Sequence, residues 1–163
     1  MSLLPKLANA TGIVKEILLS PKRGGAMSSV SQVQALAGQG LVGDRNFSPL
    51  LEVAPDKNIT LIESEKIQEF CEATGIPFSA QDARRNIVTS GIRLNPLLGR
   101  EFFVGPVKVK ALELCEPCSL LARRTHRAVL WGLLHKGGLR CQVMTDGLIK
   151  LGDVIRNSSN ADV

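Results

Sequence analysis

The chain has 163 residues, of which 44% are hydrophobic and 21% are charged, and this composition is typical of one globular domain with a sizeable core. No apolar run approaches the roughly 18 residues of a membrane span. The N-terminus lacks the pattern of a signal peptide, and four cysteines are too few for a disulfide scaffold, so we expect a cytoplasmic protein with reduced thiols and no membrane partner. The net charge of +5 suits an anionic ligand, whereas five Phe, one Trp and no Tyr disfavour nucleic acid as a partner.

The first predicted elements are a strand and a polar loop. Residues 12–20 read as an opening strand that ends at a proline. The loop of residues 22–29 is rich in Lys, Arg, Gly and Ser, so it suits either a mobile loop or a contact between backbone N–H groups and an anion. Residues 41–45 then predict a compact turn, in which Asp44 and Arg45 could pair with each other, brace the turn or face a ligand.

A buried strand and a helix are predicted next. Residues 58–62 are mostly apolar and β-branched, and the segment from Ser64 to Thr74 carries apolar residues at helical spacing before the stop signal of Gly75. Cys71 falls on the apolar face of this helix, so we expect it to be a core residue.

Residues 83–91 are a candidate for ligand binding. Arg84, Arg85 and Asn86 lead directly into a β-branched strand that ends at Ser90. Arginine offers a planar charged fork that matches phosphate, and asparagine offers a donor and an acceptor to the edge of a heterocycle. We therefore predict cofactor contacts along this stretch, Ser90 included, while a solvated loop with a strand-capping asparagine would explain the same residues.

A β-hairpin is predicted to lead into two cysteines. Its arms are residues 97–104 and 107–114, joined by a Gly-Pro turn, and the second arm is followed by Cys115 and Cys118 at a Cys-x-x-Cys spacing. A broadly helical stretch then covers residues 119–134. A thiol at a helix start and near arginines is a candidate thiolate, because positive charge favours ionised sulfur.

The remaining elements complete a β-rich fold. Residues 139–144 alternate like a strand, and an Asp-Gly turn separates them from a closing strand over residues 148–155. Because the many short strands do not alternate regularly with helices, we predict a mixed, β-rich α/β fold built on a partly closed, mainly antiparallel β-barrel with a few helices. We expect one domain over residues 1–163, with a core of about 10–156 and a frayed tail at 157–163.

The residue pattern leaves several roles open for the cysteines. A structural zinc site could use Cys115, Cys118 and Cys141 with His126 or His135, but the second Cys-x-x-Cys pair of such sites is missing. Thiol–disulfide exchange fits the spacing, although the hairpin context differs from the βαβ setting of thioredoxin-like proteins. A single thiolate could instead ligate a soft metal such as molybdenum in an anionic cofactor, or the cysteines could only pack.

Six stretches of the chain occur together in the order of one known family. They are Leu41–Arg45, Arg84–Val88, Leu97–Arg100 with Phe102 and Gly105, Leu112–Cys118, Gly137–Cys141 and Ile149–Asp153. In this order they resemble the MOSC domain, which is found at the C-terminus of molybdenum cofactor sulfurases, in amidoxime-reducing components and as small stand-alone bacterial proteins. The resemblance covers roughly residues 10–156.

The resemblance implies a barrel-like domain that binds molybdenum cofactor, a molybdopterin with a phosphate tail. A cysteine at the position of Cys118 ligates molybdenum in characterised members, so it is the implied metal ligand and catalytic residue. The family's Arg-x-Asn element is matched by Arg84 and Asn86, which would contact the pterin. Arg45 and Arg85 are further candidates for holding the pterin or its phosphate.

Two activities follow from the resemblance. One is reduction of N-hydroxylated compounds at a Cys-ligated molybdenum, and the other is carriage of the cofactor or of sulfur, with a persulfide on Cys118. A separate electron donor or sulfur donor protein would be the partner. No pyridoxal phosphate is expected, because the chain shows no aminotransferase-like domain. Cys115 stands where some small members have a different residue, so a resolving thiol and plain packing both remain open for it.

Overall fold

The computed structural model describes residues 11–158, which form eleven strands and four short α-helices. The strands are β1 (Thr11–Leu19), β2 (Ser28–Val30), β3 (Gln32–Leu36), β4 (Gly40–Leu41), β5 (Ile59–Glu63), β6 (Ile87–Ser90), β7 (Glu101–Val104), β8 (Val107–Leu114), β9 (Leu139–Val143), β10 (Gly147–Lys150) and β11 (Val154–Asn157). The helices are α1 (Ser64–Thr74), α2 (Ala80–Ala83), α3 (Ser119–Arg124) and α4 (Val129–Gly132), with 3₁₀ turns at Pro55–Lys57 and Asn95–Leu97.

Seven of these strands close into a barrel. Their order is β11–β7–β8–β9–β5–β6–β1, and β1 returns to β11 with Thr11 opposite Arg156 and Ile13 opposite Val154. All of these pairings are antiparallel except that of β5 with β6. The predicted β-rich, mainly antiparallel barrel with a few helices is confirmed, and its closure is complete where the sequence predicted a partial one.

The parallel pair of β5 and β6 requires a crossover, which α1 and α2 provide. α1 has the predicted bounds and ends where Gly75 takes a φ of 69° and donates its N–H to the carbonyl of Cys71. α2 begins with a capping box between Ser79 and Asp82 and ends at Arg84. The crossover therefore delivers Arg84 and the residues after it to the start of β6.

Two hydrophobic cores stabilise the molecule. One fills the barrel, where strand alternation directs Leu139, Cys141 and Val143 inward and leaves Arg140 half-buried on the opposite face of β9. The other lies between the barrel and the helices. Its members from the helical region include Ile67, Phe70, Leu121 and Val129, with Leu133 directly after α4.

The structure departs from the predicted elements at three places. The helix predicted over residues 119–134 is two short helices, because Thr125 leaves helical geometry and Ala128 donates its N–H to the ring of His126. The closing strand predicted over residues 148–155 is also two strands, because Gly152 turns the chain at a φ of 84°. The first of them, β10, joins β3 and β4 in a separate three-stranded sheet that the sequence did not reveal.

Three smaller expectations concern Cys71, the C-terminal tail and membrane spans. Cys71 is half-buried against the helical core, and its thiol donates to the carbonyl of Phe78 at 3.2 Å. Of the predicted frayed tail, Asn157 is paired opposite Phe102, and the segment after Ser158 lies outside the described residues. Within residues 11–158, no helix is long and apolar enough to cross a membrane.

Candidate functional site

A cavity of about 430 Å³ opens on the outer face of the barrel. Thr60 of β5 and Arg140 of β9 are opposite each other in the strand register and form part of its wall. Its lining residues are Arg23, Gly24, Arg45, Asn46, Lys57, Thr60, Arg84, Arg85, Asn86, Cys115, Cys118, Leu120, Leu121, Arg124 and Arg140. The cavity thus brings together Arg45, Arg84, Arg85, Asn86 and Cys118 of the residues predicted to bind molybdenum cofactor, and it leaves out Ser90.

The cavity wall is strongly cationic. Six arginines and one lysine line it, and no Asp or Glu does among the residues that the structure describes. Two of the seven cations form an ion pair with a carboxylate: Arg45 lies 3.4 Å from Asp44, and Arg140 lies 3.7 Å from Glu113. The uncompensated positive charge suits an anionic ligand of a size that ordinary small-molecule sites accept.

The two cysteines of the Cys-x-x-Cys pair have different environments. Cys118 is an exposed free thiol immediately before α3, and Cys115 is a buried free thiol. The backbone N–H of Cys115 donates to the carbonyl of Gly138 at 2.7 Å, which ties the cysteine segment to the Gly-Gly turn before β9. Solvent and a ligand can therefore reach Cys118, while Cys115 serves mainly to hold the segment in place.

Arg85 is a buried cation that binds backbone oxygens from three segments. Its Nε donates to Gly137 at 3.0 Å, one Nη to Ala83 at 2.8 Å and the other to Cys115 at 3.2 Å. Burial lowers the pKa of the Arg85 guanidinium, and the nearby Cys115 thiol opposes this shift. These contacts use three of its five N–H groups, so Arg85 fixes the segment before Cys118 and still reaches the cavity.

Arg84 faces the loop of residues 22–29 instead. Its backbone takes a φ of 59°, and its Nη1 donates to the carbonyl of Gly25 at 2.6 Å. Burial lowers the pKa of Arg84, and the charges of Arg45 and Arg124 lower it further, against the opposite effect of Asp44. Arg84 is therefore part of a cluster of mutually repelling cations that an anion would stabilise.

The side-chain amide of Asn86 makes most of its hydrogen bonds within the protein. Its Oδ1 accepts from the N–H and the hydroxyl of Thr60 at 3.1 and 3.2 Å, and its Nδ2 donates to the carbonyl of Leu18 at 3.2 Å. Both acceptor positions and one of the two amide N–H groups are thus used. Asn86 joins β1, β5 and β6 and leaves at most one N–H for a ligand.

Arg45 and Ser90 lie at different distances from the centre of the site. Arg45 is the last residue of the predicted turn. Its N–H donates to the carbonyl of Ser20 at 2.7 Å, and its guanidinium pairs with the buried Asp44. That pairing is one of the roles that the sequence left open, and Arg45 still lines the cavity. Ser90 is at the opposite end of β6 from Asn86, opposite Ile13 of β1, and does not line it.

Comparison with known proteins identifies the family. The family model of the MOSC domain matches residues 48–156, which include the segment from Arg84 to Asn86 and both cysteines of the Cys-x-x-Cys pair. The chain belongs to the MOSC domain family. This family is associated with binding of molybdenum cofactor. No curated protein matches the chain significantly.

Solved structures share the fold of this MOSC domain. YuaD from Bacillus subtilis superposes with a TM-score of 0.76 at 17% identity, over 89% of this chain and 94% of that one. YiiM from Geobacillus stearothermophilus has a TM-score of 0.62 at 20% identity, over 93% and 73% of the two chains. YiiM from Escherichia coli has a TM-score of 0.65 at 16% identity, over 91% and 68%.

The geometry of this MOSC domain disfavours the zinc interpretation of its cysteines. Cys141 points into the barrel core and is fully buried, and burial followed by the nearby Cys115 raises the pKa of its thiol. A metal needs the thiolate, so Cys141 is a poor ligand. Within residues 11–158, no group of three or more His, Cys, Asp or Glu side chains could hold a metal ion.

Sequence reasoning missed five polar lining residues of the MOSC domain: Asn46, Lys57, Thr60, Arg124 and Arg140. Alternation within residues 139–144 contained a signal for Arg140, because it must face away from Cys141. The position of Thr60 depends on the pairing of β5 with β9, and that of Lys57 on the 3₁₀ turn before β5. Neither the strand pairing nor the position of this turn can be predicted from the local sequence.

Proposed function

We propose that this MOSC domain binds molybdenum cofactor in the cavity, with Cys118 as the ligand of the metal, and reduces N-hydroxylated substrates there. One observation carries the proposal: the exposed thiol of Cys118 opens onto a wall of six arginines and one lysine that has no carboxylate among the described residues. Thiolate is a soft ligand that suits molybdenum, and arginine forks suit a phosphate tail.

The cavity also has a suitable size and donor set for the cofactor. Its volume of about 430 Å³ lies within the range of sites for small organic ligands. The remaining N–H of Asn86 can serve the polar edge of a pterin, and Thr60 lies beside it. Arg45, Arg84 and Arg124 form the cation cluster that would hold the phosphate.

The residues of the chain would bind and orient, and separate partners would supply electrons. When bound, the cofactor would provide two-electron redox chemistry, so that an N–OH compound, two electrons and two protons give an N–H compound and water. Arg85 fixes the backbone before Cys118 through the carbonyl of Cys115. Leu120 and Leu121 give the cavity an apolar side next to that thiol. A donor protein must deliver the electrons.

Exposure of Cys118 favours a second candidate, a carrier of sulfur. In this role the Cys118 thiolate attacks the terminal sulfur of a donor persulfide, and the donor leaves as a thiolate while Cys118 becomes the persulfide. A buried thiol could not meet a donor protein in this way. The cation-lined cavity would then stabilise the persulfide anion.

Cofactor content tests the proposal directly. The protein is purified from a host that makes molybdenum cofactor, and molybdenum is measured by elemental analysis and pterin by fluorescence. We expect near-equimolar molybdenum and pterin in the wild type and loss of molybdenum in Cys118→Ser. Cys115→Ser is the matched control and is expected to retain both.

The possible failures are distinct. A wild type that carries neither molybdenum nor pterin contradicts cofactor binding. Loss of molybdenum in Cys115→Ser but not in Cys118→Ser would show that Cys115, and not Cys118, is the metal ligand. A wild type with a persulfide on Cys118, detected by mass spectrometry, and without turnover of N-hydroxylated compounds supports the carrier instead.

A further inference from the structure

The helical segment after Cys118 exposes apolar side chains that no element described in the chain covers. Trp131 of α4 is 67% exposed, and three leucines of the same segment are 41–56% exposed. These leucines are Leu120 of α3, Leu130 of α4 and Leu134, which follows α4. The same segment has a separate buried face, with Leu121, Val129 and Leu133 in the helical core. None of the four exposed side chains belongs to the helical core, and we call the outer side of this segment that carries them the Trp131 face.

The charged side chains within this segment are basic, and Glu116, which precedes it, is paired with His135 at 3.0 Å. No acidic residue occurs between Glu116 and Asp146, a stretch that contains five Arg or Lys residues. Arg123, Arg127 and Lys136 are exposed there, beside the apolar side chains. An occupant of the Trp131 face would therefore be recognised by apolar area at the centre and negative charge around it.

The Trp131 face continues to the mouth of the cavity. Leu120 and Arg124 of α3 both line the cavity, and Cys118 immediately precedes α3. Anything that covers the outer face of α3 and α4 is brought next to the exposed thiol. The surface thus lies where a protein that exchanges electrons with the site would have to approach.

Charge and position distinguish three possible occupants. A second copy of the chain would place Arg123, Arg127 and Lys136 against the same residues in a symmetric contact, and like charges oppose this. An anionic membrane would cover the cavity mouth together with the face and would block entry of a small substrate. A small acidic protein satisfies the charge and can leave between turnovers.

We propose that the Trp131 face is the docking site for a small acidic electron-transfer protein of the ferredoxin or flavodoxin class. This inference rests on the proposed function, because removal of one oxygen from an N–OH compound consumes two electrons and two protons. A reduced [2Fe–2S] centre would supply the electrons singly in two encounters, and a flavin hydroquinone would supply both, with the donor left oxidised in each case.

Trp131 provides the measurement, since it is the single tryptophan of a chain without tyrosine. The full-length protein is titrated with an acidic [2Fe–2S] ferredoxin and with an acidic flavodoxin, both chosen to lack tryptophan, and the emission of Trp131 is recorded. We expect saturable quenching with at least one of them at low salt, and weakening as salt screens the charges. Arg127→Glu should weaken binding roughly tenfold or more, and Lys150→Glu, on β10, is the control that should not.

Three outcomes would overturn the docking proposal. They are no saturable quenching with either protein, quenching that Arg127→Glu leaves unchanged, or a Trp131 response only to self-association or to vesicles of phosphatidylcholine with phosphatidylserine. Molybdenum and pterin are measured on the same preparations. If the protein carries molybdenum and pterin but neither donor protein docks, only the docking proposal is contradicted. If a donor protein docks but the protein carries no cofactor, the docking proposal stands and the proposed function is contradicted.

Discussion

An Nη group of Arg85 donates to the carbonyl oxygen of Cys115 at 3.2 Å, so a buried cation holds the chain three residues before the proposed ligand Cys118. The same guanidinium binds the carbonyls of Ala83 and Gly137. The crossover between β5 and β6 is thereby linked to the cysteine segment and to the turn before β9. The position of the thiol depends on a side chain from a distant part of the sequence.

Arg85→Lys should destabilise the protein although it keeps the charge. A lysine cannot reproduce the fork that serves three carbonyls, and buried oxygens left without donors would cost roughly 2–4 kcal/mol. Urea denaturation gives the free energy of unfolding. Arg84→Lys is the matched control, since the half-buried Arg84 makes one backbone contact, and it should cost less than about 1 kcal/mol. Equal losses in the two variants would contradict the structural role of Arg85.

Gly138→Ala should be among the most harmful substitutions in the chain. Gly138 has a φ of 97°, and an added Cβ would overlap the carbonyl oxygen of Leu61 on β5. Gly99 has a φ of 79° with no atom within 4 Å of an added Cβ, so Gly99→Ala isolates the backbone cost of about 1–2 kcal/mol. Thermal unfolding should show at least about 2 kcal/mol more loss for Gly138→Ala. A loss equal to that of Gly99→Ala would mean that the strands move apart.

Alkylation of the native protein should discriminate the four thiols. Iodoacetamide should modify the exposed Cys118 first and the half-buried Cys71 more slowly, whereas Cys115 and Cys141 should react only after denaturation. A time course by peptide mass spectrometry follows each site. Cys118→Ser should remove the fast phase and leave the others unchanged. Early modification of Cys115 would show that the segment opens more readily than its contacts indicate.

Ionisation of Glu63 should lower the free energy of unfolding, whereas ionisation of Glu65 should raise it. Burial raises the pKa of Glu63 despite the N–H that Leu94 donates to it, so its ionisation opposes folding as pH rises above the ordinary range of a glutamate. Burial also acts to raise the pKa of Glu65, but hydrogen bonds led by that from Gly91 outweigh it and lower the pKa. Its ionised form therefore stabilises the fold, and this contribution is lost as pH falls.

Glutamine substitutions test those signs. At pH 7, Glu63→Gln should increase the free energy of unfolding and Glu65→Gln should decrease it, and both differences should shrink toward pH 4. Chemical denaturation at the two pH values provides the measurement. Stabilisation by both substitutions, or by neither, would contradict the assigned environments.

Local sequence signals predicted much of the fold and of the site. α1 and its stop at Gly75 follow from apolar spacing and from the ability of glycine to adopt positive φ. The strand that delivers Cys115 and Cys118 follows from alternation in residues 107–114. These signals are short-range, and they predict the elements correctly because tertiary packing favours the same secondary structure.

Contacts between distant segments were not readable in the same way. Arg84 and Arg85 are identical in type, but one binds the loop at Gly25 and the other turns inward to Cys115. Gly137 is required because two segments approach each other closely at the backbone, where a Cβ on Gly137 would overlap the carbonyl of Cys115. Such constraints depend on two segments that are distant in the sequence, so neither segment alone predicts them.

The pairing of β11 with both β1 and β7 has a consequence for synthesis of the protein on the ribosome. β11 is the last barrel strand to be made, and until it arrives β1 and β7 each present an open edge to other nascent chains. The barrel therefore cannot close co-translationally before residue 157 is available. Chaperone dependence and aggregation during expression should concentrate in this interval, and should fall once the final strand is in place.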